Sequence, residues 1–107
     1  MHRPAANSDV FRAIADPTRR AILDRLRAGP VPVNDIAIDF EQSRPAISKH
    51  LRILREASLV AEEKRGRERF YRLRPEPLSN VADWADGYRR FWRSNLESLK
   101  RHLEEEK

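Results

Sequence analysis

Apolar positions recur with helical spacing in five stretches of the chain and alternate like strands in one. Val10, Phe11, Ile14 and Ala15 share one face of a short first helix, after a lead-in over residues 1–7 that reads as flexible. Asp16-Pro17 restarts the chain with a good N-cap and a proline suited to the first helical position. A second helix follows from Pro17 to about Ala28, with Ala21, Ile22, Leu23 and Leu26 as its apolar side and Gly29-Pro30 as its stop. A third helix, capped by Asn34 and ending near Phe40, turns Ile36, Ala37 and Phe40 inward. After a turn at Glu41-Gln42, Ser43 caps a fourth helix from Arg44 to about Ala57, with Pro45 in its first turn and Ile47, Leu51 and Leu54 on one face. Two strands, Leu59–Lys64 and Glu68–Leu73, meet at Arg65-Gly66-Arg67; their alternation is imperfect, so the hairpin is clearer than its register. Pro75 and Pro77 end the second strand and open a long last helix, about Leu78 to Glu104. The fold predicted is mainly α with a small β-hairpin, one domain over residues 8–107.

The fourth helix has two unlike faces. Its apolar residues lie on one side, and Arg44, Ser48, Lys49 and Arg52 on the other. A helix that reads DNA needs this division: an inner face anchored on the domain, and an outer face carrying short polar groups and cations into the major groove. Ser43 and the free N–H groups of the first turn suit a phosphate, because the N-terminus of a helix is partly positive. Taken alone, a solvated basic face explains the same pattern equally well. The hairpin tips the balance. Lys64, Arg65, Arg67 and Arg69 crowd its tip, where like charges repel, and a wing lying along phosphates or in a minor groove would use them. His50 sits beside Ile47, Leu51 and Leu54; half-buried packing suits it better than a base contact, which stays open.

The last helix holds Trp84, Tyr88, Phe91 and Trp92, half of the chain's eight aromatic residues, and Leu96, Leu99 and Leu103 extend the stripe. One small domain cannot cover so much apolar surface. A second copy is the natural cover, with Val10, Phe11 and Ile14 joining Trp84, Tyr88, Phe91, Trp92, Leu96 and Leu99 at the interface. Gly87 weakens the helix it sits in, which close approach of another helix would justify. Packing on the chain's own first helix, or an aromatic ligand pocket, stay open for the same stripe.

Composition narrows the classes. Lys and Arg outnumber Asp and Glu by 22 to 17 in 107 residues, a net charge of +5 that suits nucleic acid or an anionic surface. The absence of cysteine excludes disulfides, thiolate metal sites and cysteine nucleophiles. No apolar run is long enough to span a membrane and Met1 to Ser8 has no apolar signal core, so a cytoplasmic location is expected. No nucleophile–base set or phosphate-cradling loop appears, Asp83 and Asp86 read as a solvated helix face, and no enzyme activity is expected.

Three segments carry a resemblance: Asp16-Pro17-Thr18-Arg19-Arg20-Ala21-Ile22-Leu23, the helix Ser43-Arg44-Pro45-Ala46-Ile47-Ser48-Lys49-His50-Leu51-Arg52-Ile53-Leu54, and Gly66-Arg67-Glu68-Arg69-Phe70-Tyr71-Arg72-Leu73. Together, over roughly residues 8–103, the chain resembles the ArsR/SmtB family of bacterial repressors. The resemblance implies a winged helix-turn-helix of order α-α-α-α-β-β-α, a homodimer, and repression at a palindromic double-stranded DNA operator. It assigns the helix at about 44–57 to the major groove and the wing at 64–69 to the backbone or minor groove. The residues then expected at DNA are Ser43, Arg44, Pro45, Ser48, Lys49, His50, Arg52, Lys64, Arg65, Arg67 and Arg69. A winged-helix module for protein interaction or RNA is the alternative; its outer face would be acidic or apolar rather than cationic.

Many relatives release DNA when a metal ion binds, and here the chain departs from the pattern. Ile36 and Ile38 stand where the family's third helix carries its Cys-x-Cys site. His102 and Glu105 match half of the site on the last helix, but Arg89 and Phe91 occupy the other half. No metal and no cofactor are therefore expected. The chain is similar to the metal-independent branch, which leaves room for a small-molecule inducer. Ser58 replaces the glycine with which the family usually ends the recognition helix, at a steric cost in the left-handed conformation, which leaves the build of that helix end open.

Overall fold

The structure, a computed structural model, describes residues 4–105. The chain folds in the order α1 (Pro4–Ile14), α2 (Pro17–Leu26), β1 (Val31–Pro32), α3 (Val33–Asp39), α4 (Arg44–Glu56), β2 (Val60–Arg65), β3 (Glu68–Leu73), α5 (Leu78–Asp86) and α6 (Arg89–Glu105). The expected mainly helical fold with a hairpin is present. The hairpin also gains a third strand that the sequence did not announce: β1 pairs antiparallel with β3, with Val31 opposite Tyr71, in a sheet of order β1-β3-β2.

Three expectations need correction. Residues 4–7, read as a loose lead-in, begin α1, which opens on Pro4 followed by two alanines, a proline start and strong helix formers; Met1 to Arg3 lie outside the described residues. Asn34 does not cap α3. The helix starts at Val33, whose side chain is buried, after Pro32 is drawn into the sheet, and Asn34 falls in its first turn. The single last helix is two. Gly87 N–H and Tyr88 N–H bond the Trp84 and Ala85 carbonyls, three residues back, and the helix restarts at Arg89. A Cβ at Gly87 would stand 3.2 Å from the Trp84 carbonyl oxygen, a tight contact within its own turn.

One core joins the helices to the hairpin. Ile22 and Leu26 of α2, Ile36 of α3, Ile47, Leu51 and Leu54 of α4, and Leu59 and Val60 at the hairpin are fully buried. Each large aliphatic side chain so buried contributes roughly 1.5–3 kcal/mol. Val10 belongs here too, at 3% exposure, so it packs inside its own chain and does not offer the interface surface expected of it.

Two of the three caps read from the sequence form, at Asp16 and Ser43. The Asp16 carboxylate accepts from Arg19 N–H at 3.0 Å and Ser43 Oγ from Ala46 N–H at 3.2 Å. That hydrogen bond from the Arg19 backbone holds the Asp16 carboxyl below the usual carboxylate range. The two arginines after Pro17 act on α1. Arg19 Nε and Nη2 donate to the Ala13 and Arg12 carbonyls at 2.7 and 3.1 Å, and Arg20 Nη1 donates to Ile14 at 2.8 Å. They satisfy carbonyls that the end of a helix leaves open, and put positive charge at its negative end.

Both helices of the helix-turn-helix end alike. Glu41 N–H bonds the Ile38 carbonyl and Gln42 N–H the Ala37 carbonyl; Ser58 N–H bonds Arg55 and Leu59 N–H bonds Leu54. These paired bonds need a left-handed residue after the cap, and Glu41 (φ 51°) and Ser58 (φ 61°) supply it without glycine. The end of α4 is therefore not built differently. Ser58 adopts the conformation usually given to glycine, and buried Leu59 anchors it.

Candidate nucleic-acid interface

α4 projects from the core with Ile47, Leu51 and Leu54 inward and Arg44, Pro45, Ser48, Lys49 and Arg52 exposed. Ser43 is exposed as well, but its cap bond occupies the Ala46 N–H, the Ile47 N–H bonds the Ser43 carbonyl, and Pro45 has no N–H. A phosphate at this end would meet the Arg44 N–H and the Ser43 hydroxyl, fewer donors than a free first turn offers.

The hairpin turns at Gly66-Arg67, between paired Arg65 and Glu68, with Gly66 at φ 62°. A positive φ at the first turn position is what a tight hairpin asks of glycine. Strand alternation sorts the wing cations onto two faces. Glu62, Lys64, Arg69 and Tyr71 share the face toward α4, while Glu63, Arg65 and Phe70 share the other. Arg65 is folded back on that outer face. Its guanidinium lies 4.7 Å from the Phe70 ring centre and 3.2 Å from the Glu63 carboxylate. Arg69 is also engaged, 3.1 Å from Glu62. Among the described residues Arg44, Lys49, Arg52, Lys64 and Arg67 make no ion pair.

Between α4 and the hairpin runs an open cleft of about 480 Å³, lined by Pro45, Ser48, Lys49, Arg52 and Arg55 on one side and Glu62, Arg69 and Tyr71 on the other. A smaller depression of about 170 Å³ brings Arg44 beside Arg67 and Arg69. Recognition-helix and wing residues some twenty positions apart thus share one cationic surface. His50 does not join it. At 100° per residue it lies on the flank of α4 away from the wing, half-buried, with Nδ1 3.4 Å from Arg19 Nη1.

Three participants escaped the sequence reading. Arg55 Nη1 meets Glu62 Oε2 at 2.5 Å, and the Tyr71 hydroxyl donates to the same oxygen at 3.3 Å. Burial pushes the Tyr71 phenol up, and the negative charge of Glu62 adds to the shift. The available signal was an acidic residue on the inner face of a cationic hairpin, legible only once the register is known.

A helix-turn-helix domain family matches residues 14–63. The chain is 42% identical over 77 residues to the transcriptional repressor SdpR of Bacillus subtilis, covering 72% of this chain and 86% of that one. It is 40% identical over 96 residues to the HTH-type transcriptional regulator Rv2034 of Mycobacterium tuberculosis, covering 90% and 87%. A solved ArsR family transcriptional regulator superposes with TM-score 0.75 at 34% identity, over 87% of this chain and 96% of that one. The chain belongs to the ArsR/SmtB family. As an ArsR/SmtB protein it is a DNA-binding transcriptional repressor with a winged helix-turn-helix fold, as the three motifs implied. The family is one of transcriptional regulators rather than enzymes. No helix among the described residues is long and apolar enough to cross a membrane.

Proposed function

We propose that the protein represses transcription as a homodimer at a palindromic operator. α4 of each copy enters a major groove, and the wing tip rides on the backbone or minor groove. The observation that carries this reading is the cationic surface between α4 and the wing: Lys49 and Arg52 line one depression, Arg44 and Arg67 a second that shares Arg69 with it, and Lys64 stands opposite Arg69 in the ladder, all five without an ion-pair partner among the described residues. Cations held without partners are available to phosphates and base edges.

The dimer rests on the far end of the molecule. No residue of α5 or α6 is buried, and Trp84, Tyr88, Phe91, Trp92, Leu96, Leu99 and Leu103 are exposed, from 47% at Tyr88 to 66% at Leu96. The radius of gyration is 18.5 Å, against about 13 Å for a compact domain of this size. An apolar arm so extended calls for a second copy to cover it.

The test is a titration of duplex DNA at several salt concentrations, after selection of bound fragments from a random pool. Tight binding to a two-fold symmetric sequence is expected, its affinity falling steeply with salt as ~6–10 phosphate contacts require. A slope near zero, or selection of an asymmetric site, overturns the reading.

A further inference from the structure

A carboxylate inside a surface meant for phosphates opposes binding, so Glu62 calls for an explanation. Its side chain is only 20% exposed and both of its oxygens are engaged. Oε2 takes Arg55 Nη1 at 2.5 Å and the Tyr71 hydroxyl at 3.3 Å; Oε1 takes Arg69 Nη1 at 3.1 Å. The three donors come from different places: the last turn of the recognition helix, and two positions on the inner face of the wing. Glu62 is the one side chain among the described residues that ion-pairs with both elements expected to touch DNA. Tyr71, directly opposite Glu62 in the ladder and buried in the core, fixes where the carboxylate stands.

We infer that Glu62 is a specificity-determining positioning residue, which sets the wing against the recognition helix by holding Arg55 and Arg69 in the cleft between them. Two consequences follow from its charge and reach. With one of the two positive charges of Arg55 and Arg69 cancelled by Glu62 and both guanidiniums paired to it, the cleft attracts an arbitrary phosphate backbone less than two free guanidiniums would. A duplex whose phosphates fit the fixed geometry meets the arginines without reordering them, whereas any other duplex must first draw them off the carboxylate. Glu62 thus lowers affinity for all DNA and lowers it most for the wrong DNA, which widens the specificity ratio. This inference rests on the DNA-binding reading above.

The test compares wild type with Glu62→Gln and Glu62→Asp on two duplexes, the one wild type selects from a random pool and a scrambled one of equal length. Gln keeps the length but loses the charge; Asp keeps the charge but is a methylene too short to reach both arginines. A positioning role lowers the selected-to-scrambled ratio with both variants, by ~5-fold or more, and the Gln variant binds the scrambled duplex more tightly with a steeper salt slope. A purely electrostatic role shifts both duplexes equally with Gln and neither with Asp. That result, or an unchanged ratio with both variants, overturns the inference and leaves the repressor reading standing. A wild type that prefers no sequence overturns that reading, and this inference with it.

Discussion

Arg19 Nη1 lies 3.4 Å from His50 Nδ1, while the same guanidinium holds two carbonyls at the end of α1. One side chain therefore ties α1 to the flank of the recognition helix. Arg19→Ala leaves the Ala13 and Arg12 carbonyls without these donors and should cost ~1.5–3 kcal/mol, as hydrogen bonds from charged groups do. Arg19→Lys should recover only part of that, because an ammonium cannot reproduce the planar fork. Chemical denaturation of the three proteins measures both; an Arg19→Ala midpoint equal to wild type would show that the clamp carries no stability.

Asp16 gives the fold an acid limb. Its folded-state pKa lies below the ordinary value because the Arg19 N–H stabilises the carboxylate. Its contribution is therefore complete above the unfolded carboxyl pKa and is lost as pH falls through the lower folded value. Asp16→Asn keeps an N-cap acceptor without the charge. Melts at about pH 7 and about pH 3 should show the variant losing less stability than wild type across that window. Parallel losses would remove Asp16 from the account.

How much was legible follows from where each signal lies. The caps at Asp16 and Ser43, the inward face Ile47, Leu51 and Leu54, and the hairpin around Gly66 are local patterns, and the structure repeats them. The strand at Val31-Pro32 was not legible, since two residues show no alternation and pair only with the distant Tyr71 and Phe70. Gly87 marked a weak point in the last helix, but apolar periodicity continuing through it hid the break. Phe11, Trp84, Tyr88 and Phe91 meet in series across that break, edge-to-face and then tilted, with centroids 5.7, 5.4 and 6.2 Å apart, so part of the aromatic stripe packs on its own first helix after all. Arg55, Glu62 and Tyr71 became a cluster only through the register, which the sequence left open. The outward cations were visible one by one; that Arg65 and Arg69 are already paired was not.

Ser58 stores strain that glycine would release. At φ 61° a serine Cβ crowds its own backbone, and the paired bonds at the end of α4 hold it there. Ser58→Gly should stabilise the fold by about 0.5–1 kcal/mol, the left-handed penalty less the extra freedom glycine has when unfolded. A rise in melting temperature checks it. A fall would mean that the serine side chain contributes something the backbone geometry does not show.

Arg44 and Arg67 face the same depression but should differ in kind. Arg44 opens the recognition helix, and on the reading proposed above it meets base edges, so Arg44→Ala should cost ~1–3 kcal/mol on the selected duplex and relax one position of each half-site. Arg67 lies at the wing tip, so Arg67→Ala should weaken all duplexes alike and reduce the salt slope by ~1 for each phosphate the wing no longer neutralises. Repeating the selection with each variant separates the two; a uniform loss with Arg44→Ala would make it a phosphate contact.

Metal should leave DNA binding unchanged. Ile36 is buried, Ile38 is 73% exposed and Arg89 is paired with Asp86 at 2.8 Å, so three of the positions the family uses for ligands offer none. Among the described residues no group of three or more His, Asp or Glu side chains gathers to hold an ion. Titration of zinc, cadmium or arsenite, or of a chelator, into the protein–duplex complex should leave its affinity unchanged. Stoichiometric release by zinc would place a site that this chain's own ligands do not suggest.

The last prediction links assembly to recognition. α6 runs from Arg89 to Glu105 with Trp92, Leu96, Leu99 and Leu103 at alternating steps of four and three, a seam suited to a second helix. If two copies cover this seam about a two-fold axis, the axis also fixes the distance between the two recognition helices, which must be about one turn of DNA, ~34–36 Å, for both to reach successive major grooves. Palindromic binding then depends on a helix that need not touch a base. Trp92→Glu sets a carboxylate in the seam opposite its own copy, where burial and like charge both oppose association. Phe91→Glu, at the edge of the stripe, should act in the same direction. Sedimentation at micromolar concentration should show wild type as a dimer and Trp92→Glu as a monomer. The monomer should lose tight binding to the selected duplex while keeping the weak, salt-sensitive binding of an intact helix and wing, because α4 and the hairpin pack on a core that α6 does not enter. A monomeric wild type that still binds the selected duplex tightly would overturn both the dimer and the two-fold operator.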